Sequence, residues 1–130
     1  MKKKWILILL AVLILTACGQ DKENDQEAYM NITAEEAKQI MDSEEGYIIL
    51  DVRTQEEYDE GHIPGATQIS HEEITEKAED ILTDKDQLIL VYCRSGRRSK
   101  IAAEALVELG YTNIKEFGGI IDWPYEVEKT

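Results

Sequence analysis

One short segment of the chain brings together residue types that could do chemistry. Residues 93–99 have the sequence CRSGRRS and contain three of the four arginines in a chain whose formal net charge is −13. Gly96 lets the backbone turn tightly, so that successive amide N–H groups of the loop can point at one spot and bind an anion. These amides and the guanidinium groups would favour the thiolate of Cys93 over its thiol. The segment therefore predicts a cysteine nucleophile in an anion-binding loop, against the alternative of a small buried cysteine that is chemically inert.

The elements on either side place this loop at the edge of a sheet. Residues 88–92 (LILVY) are typical of a buried strand, and Ser99 is predicted to begin a helix that Gly110 closes. The inner face of that helix is predicted to hold Ile101, Ala102, Ala105, Leu106 and Leu109. In open α/β sheets, ligands bind beyond the carboxyl ends of the strands, which is where Cys93 falls.

Apolar strand-like runs alternate with helical patterns along the rest of the chain. Further strands are predicted at 29–32, 47–50 (ending in Asp51), 67–70 and 114–117. Helices are predicted after Thr33, where Glu36 has the capping-box spacing, after Thr54, over 72–82, and briefly near Trp123. We therefore expect a single α/β domain over 30–130, with a small parallel sheet flanked by helices on both faces.

The first residues are typical of a secretory signal. Lys2, Lys3 and Lys4 precede an apolar run over 5–15, which is too short to span a bilayer as a stable helix. The run ends in LTAC, which resembles the lipobox of bacterial lipoproteins, although an ordinary signal peptide with an incidental cysteine is an alternative. The resemblance implies a lipoprotein signal peptide over 1–17, lipidation of Cys18, a flexible tether over 18–29, and a bacterial membrane protein anchored on the extracytoplasmic face.

Charge narrows the range of partners. Residues 1–17 carry three lysines and no acid, so the remainder has a formal charge of −16. Nucleic acid is therefore an unsuitable partner, and anionic lipid headgroups would repel the domain. Contact with the membrane would have to come from acyl chains on Cys18.

The chain resembles the rhodanese family at four motifs that occur in the family's order. The loop CRSGRRS resembles the active-site pattern C-x-S-G-x-R-S. The other three matches are Asp51-Val52-Arg53 (D-V-R), residues 57–66 (E-[FY]-x-x-G-H-I-P-G-A), and Phe117-Gly118-Gly119 with Trp123.

The resemblance implies a sulfurtransferase that needs no cofactor and no metal ion. The Cys93 thiolate would take a sulfane sulfur from a small donor such as thiosulfate, forming a persulfide, and a thiol or cyanide would accept it. The resemblance assigns substrate binding to Arg94, Ser95, Gly96, Arg97, Arg98 and Ser99. Asp51 and Arg53 are expected to brace the adjacent loop, His62 to be structural, and His71 to be a solvated residue at a helix start.

Three other functions share parts of this pattern. Cysteine phosphatases need an arginine six residues after the nucleophile, and that position here is Ser99, so the loop is one residue too short. A persulfide carrier without catalytic turnover, or a partner-docking module that has kept the loop, is an alternative, although inactive relatives usually lose the cysteine or the loop glycine and both are present here.

Overall fold

The computed structural model describes residues 28–130, which form a five-stranded sheet with the order β1-β5-β4-β2-β3. All strand pairs are parallel. The strands are β1 (Met30–Asn31), β2 (Ile48–Asp51), β3 (Thr67–Gln68), β4 (Ile89–Cys93) and β5 (Ile114–Gly119). The helices are α1 (Ala34–Ser43), α2 (Gln55–Glu60), α3 (Ile74–Ile81) and α4 (Arg97–Glu108), with 3-10 turns at His71–Glu73 and Ile120–Asp122.

Two of the helices begin after the predicted cap residues Thr33 and Thr54, and both caps are reciprocal. The Thr33 hydroxyl accepts from the Glu36 amide, and the Glu36 carboxylate accepts from the Thr33 amide. Thr54 and Glu57 make the same pair of bonds at the start of α2. Each box satisfies two amides that a helix start leaves without partners, so the helix boundaries follow from local sequence.

Both faces of the sheet are buried against helices, as predicted. Alternate residues of β4 enter different cores, because side chains alternate across a strand. Val91 and Cys93 lie in the core that includes Ala102 and Leu106 of α4, whereas Tyr92 packs in the core that includes Ala37 of α1. Cys93 therefore points towards the α4 side of the sheet.

The start of α4 differs from the prediction. The helix begins at Arg97 and not at Ser99, because Gly96 adopts a left-handed conformation (φ 113°) and is itself the N-cap residue. Arg97 and Arg98 therefore belong to the first helical turn. The predicted inner face is also partly wrong, since Ile101 is 40% exposed and Ser99 and Ala103 are buried instead.

The predictions for the N-terminal segment concern residues that lie outside the described range. The signal peptide over 1–17 and the lipidation of Cys18 are among them. Within residues 28–130, none of the helices is long and apolar enough to cross a membrane.

Candidate active site

Cys93 ends β4 and is almost completely buried, with 1% of its surface exposed. The Gly96 amide donates to Cys93 Sγ at 3.0 Å, and Sγ lies 3.4 Å from Ser99 Oγ. The left-handed backbone at Gly96 turns this amide back onto the sulfur. An amide at the N-terminus of a helix, aimed at a sulfur atom, stabilises negative charge on that atom.

Gly118 and Gly119, the last two residues of β5, lie against the loop that follows Cys93. Cys93 is in register with Gly119. A Cβ atom at Gly119 would overlap the carbonyl of Arg94 and the amide of Ser95, so the two backbones approach as closely as only glycine permits. The Ile121 amide also donates to the Arg94 carbonyl at 3.2 Å. The pairing of β4 with β5 thus shapes the first half of the loop.

The three arginines of the loop have different surroundings. Arg94 and Arg97 are exposed. Arg98 donates two hydrogen bonds to the Glu57 carboxylate of α2, at 2.8 and 3.0 Å. This pairing, followed by the Thr54 amide, lowers the pKa of Glu57 from 4.5 to about 2, although partial burial opposes the shift. Arg98 is therefore held in place by a carboxylate, while Arg94 and Arg97 can meet an incoming anion.

Asp51, the last residue of β2, and Arg53 form a buried ion pair. The Asp51 carboxylate accepts from Arg53 Nη2 and from the Tyr92 hydroxyl, both at 2.6 Å. Burial raises the pKa of the Tyr92 phenol, and the Asp51 charge raises it further. Arg53 also donates to the Gly61 carbonyl at 2.7 Å. The pair thus ties β2 to β4 and to the turn after α2, and in the described part of the chain its side chains make no hydrogen bond to residues 94–99.

Within residues 28–130, no hydrogen bond joins either histidine to Cys93 or to the loop that follows it. The His62 ring is stacked on Tyr58 at a centroid distance of 3.8 Å, and its Nδ1 lies 2.8 Å from the Tyr58 carbonyl. Its Nε2 lies 3.4 Å from a carboxylate oxygen of Glu128. His71 begins a 3-10 turn and is half-buried. These contacts are those of a structural residue for His62 and of a helix-start residue for His71.

Sequence reasoning did not identify Glu116 as part of the site. Glu116 is 2% exposed, and its carboxylate accepts hydrogen bonds from the Ser99 hydroxyl and from the Gly118 amide. Lys100 Nζ lies 3.8 Å from its other oxygen. A signal was available, because Glu116 shares one face of the predicted strand with the apolar, buried Ile114. An acid at a core-facing position is unusual unless it has a partner, so it is informative.

An open cleft of about 400 Å³ lies beside the loop. Its polar wall includes Arg53, Glu57 and Arg94, and its apolar wall is formed by residues near the C-terminus: Ile120, Trp123, Tyr125 and Val127. His62 and Glu128 exchange backbone hydrogen bonds at 2.9 and 2.8 Å, which hold this last segment in place. The cleft offers an approach to the loop for a small anion or a thiol.

Comparisons with known proteins agree with this geometry. The sequence profile of the rhodanese-like domain family matches residues 33–124. The thiosulfate sulfurtransferase PspE of Escherichia coli (strain K12) is 40% identical over 73 residues, which are 56% of this chain and 70% of PspE. YrkF of Bacillus subtilis (strain 168), whose name refers to a sulfur carrier protein, is 35% identical over 111 residues, and the match spans 85% of this chain but only 59% of YrkF.

A solved structure supports the same assignment. It is described as a rhodanese with anions from E. coli, and it aligns with 65% of this chain and 99% of its own length at 36% identity and a TM-score of 0.61. The fold, the loop around Cys93 and the matched profile all point to one family. The chain belongs to the rhodanese-like domain family, whose curated members include sulfurtransferases.

Proposed function

We propose that the protein is a sulfurtransferase that moves a sulfane sulfur through a persulfide on Cys93. The observation that carries this proposal is the 3.0 Å hydrogen bond from the Gly96 amide to Cys93 Sγ at the start of α4. An amide in this position stabilises a thiolate before the reaction and an anionic sulfur after it. The name of PspE, a thiosulfate sulfurtransferase, supports thiosulfate as a donor.

In the proposed reaction, the Cys93 thiolate attacks the outer sulfur of thiosulfate. A new S–S bond forms at Cys93 as the S–S bond of thiosulfate breaks, and sulfite leaves with the electron pair. A thiol or cyanide then attacks the terminal sulfur, and the Cys93 thiolate is regenerated. The exposed Arg94 and Arg97 attract the anionic donor, and the loop amides hold the charge on the terminal sulfur.

Cys93 has no second cysteine among residues 28–130, so no neighbouring thiol in this part can resolve its persulfide. Cys18 is the other cysteine of the sequence, and we propose that it is lipidated. In that case the sulfur must pass to an acceptor outside the chain. A redox sensor or a disulfide exchanger would need a resolving cysteine.

Mass spectrometry tests the proposed persulfide. Incubation with thiosulfate and no acceptor should add one sulfur atom to the peptide that contains Cys93, and cyanide should remove it with formation of thiocyanate. Continuous thiocyanate production supports an enzyme, whereas a single stoichiometric release supports a sulfur carrier. Absence of the adduct with thiosulfate, polysulfide and an organic persulfide would contradict the proposal and favour a docking module.

We also propose that the protein is a bacterial lipoprotein held at the extracytoplasmic face of the membrane by acyl chains on Cys18. The support is the LTAC sequence after an apolar run, and no basic patch is needed. In a bacterial host, Cys18→Ala should leave the protein either unprocessed or released from the membrane, with unchanged activity in the soluble part. A processed variant that stays on the membrane would require a different anchor.

A further inference from the structure

Glu116 is a buried acid whose carboxylate accepts its hydrogen bonds from neutral donors. Its carboxylate is buried, yet its nearest cationic group is Lys100 Nζ, 3.8 Å away and half-exposed. Both the Ser99 hydroxyl and the Gly118 amide donate to the same oxygen, Oε2. Burying a carboxylate is costly, so a site that keeps one depends on these donors.

The single hydroxyl proton of Ser99 decides the direction of the hydrogen bonds around Cys93. The possible acceptors for that proton are the Glu116 carboxylate and the carbonyls of Gly96 (3.1 Å) and Gly118 (3.4 Å). The carboxylate is the strongest of the three, because hydrogen bonds to ionised groups are stronger than neutral ones. With its proton directed at Glu116, Ser99 Oγ faces Cys93 Sγ as an acceptor, and the thiol donates to it at 3.4 Å.

We propose that Glu116 is a positioning residue that orients Ser99 and, through Ser99, takes up the proton of the Cys93 thiol. The S–H bond of Cys93 breaks as its proton moves to Ser99 Oγ, and the original Ser99 proton moves to Glu116 Oε2. The products are a thiolate, a neutral serine and a neutral carboxylic acid. The proposal rests on the proposed role of Cys93 as the nucleophile.

This transfer leaves the net charge of the buried site unchanged. One negative charge moves from Glu116 to Cys93, where the Gly96 amide and the start of α4 stabilise it. The transfer also turns Ser99 from an acceptor into a donor towards the sulfur. A nucleophile with 1% exposure can thus become ionised without releasing a proton directly to water.

The charged groups around the pair come from two elements. On α4, Lys100 faces Glu116, and Arg98 lies close enough to Cys93 to interact with its charge. Arg98 is itself neutralised by Glu57 of α2. On β1, which pairs with β5 on the side away from β4, the residue in register with Glu116 is the neutral Asn31. Lys100 opposes the transfer of the proton to Glu116, whereas Arg98 stabilises the thiolate that the transfer forms.

The shape of a pH profile tests the proposal. In the full chain, alkylation of Cys93 by neutral iodoacetamide is followed by mass spectrometry of the Cys93 peptide from about pH 4 to about pH 10. Two coupled groups that share a proton should give two rises separated by a plateau, because the thiolate fraction does not change with pH while one proton is shared. Glu116→Gln and Ser99→Ala should each lose the lower plateau and show one rise.

Glu104→Gln is the matched control, because it removes one carboxylate from an exposed position of α4. It should keep both rises. If Glu116→Gln also kept two rises, or if the unchanged protein had only one, Glu116 would be a structural residue and the proposal would be wrong.

A second measurement does not depend on the folding of a Glu116 variant. Conversion of the unchanged protein to the persulfide should create an infrared band of a protonated carboxylic acid that is absent from Cys93→Ser treated in the same way. Absence of the band from the persulfide form overturns the proton transfer while the sulfur transfer stands. If no donor forms a persulfide, the proposed function fails, and the alkylation profile still decides the role of Glu116.

Discussion

The ion pair between Arg98 and Glu57 connects the start of α4 to α2, and its contribution to stability should depend on pH. Glu57→Gln removes the charge but keeps the size of the side chain and an oxygen that can accept the hydrogen bond from the Thr54 amide. The pKa of Glu57 is lowered from 4.5 to about 2, chiefly by Arg98. At about 1.4 kcal/mol per unit, the shift corresponds to about 3 kcal/mol. Because 27% of the Glu57 side chain is exposed, solvent screening reduces the expected loss to about 2 kcal/mol.

The direction of the pH dependence follows from the lowered pKa. A carboxylate whose pKa is lower in the folded state stabilises the fold fully above its unfolded value of 4.5, and the contribution is lost as the pH falls towards about 2. The difference in unfolding free energy between the unchanged protein and Glu57→Gln should therefore be largest near neutral pH and should disappear near pH 2.

Urea unfolding at neutral pH and at two acidic values measures this difference. Glu56→Gln removes the same charge from an exposed neighbour on α2 and should change the unfolding free energy by less than about 0.5 kcal/mol at neutral pH. A loss in Glu57→Gln that stays constant with pH, or that is no larger than in Glu56→Gln, would refute the reasoning.

Three further substitutions test the loop. Cys93→Ser should abolish sulfur transfer and change the unfolding free energy by no more than about 1 kcal/mol, so residual turnover would disprove the nucleophile. Gly119→Ala should lower the unfolding free energy by about 1–3 kcal/mol and slow turnover by about a hundredfold. Gly61→Ala is the control: nothing lies within 4 Å of the added methyl group, so the loss of unfolding free energy should be smaller. Arg97→Gln should raise KM for thiosulfate by about two- to fivefold at low salt, and an effect that persists at high salt would exclude steering by an exposed charge.

Local sequence was sufficient wherever a short pattern determines the structure. The capping box at Thr33 and the cap residue Thr54 predicted the starts of α1 and α2, and the run LILVY predicted β4 to within a residue at each end. The strand-loop-helix pattern was also sufficient to place Cys93 at the carboxyl end of that strand. In each case the determining contacts lie within a few residues of each other in the chain.

The rest of the site depends on contacts between distant residues. The partner of Arg98 is 41 positions away at Glu57, and the partner of Ser99 is 17 positions away at Glu116. Periodicity cannot identify such pairs, because it assigns residues to faces and not to partners. The early start of α4 had a different cause, since the sequence shows that Gly96 is flexible but not that it adopts the N-cap conformation.

The close approach of Gly119 to the Arg94 carbonyl has a consequence for the order of events during folding. The last strand of the sheet lies directly against a loop that precedes it by more than twenty residues, so the loop cannot reach its final shape until that strand is synthesised and paired. Until then Cys93 has the reactivity of any thiol on an unfolded chain. During synthesis the thiol therefore lacks the hydrogen bond from the Gly96 amide, and it gains that bond only when the sheet is complete.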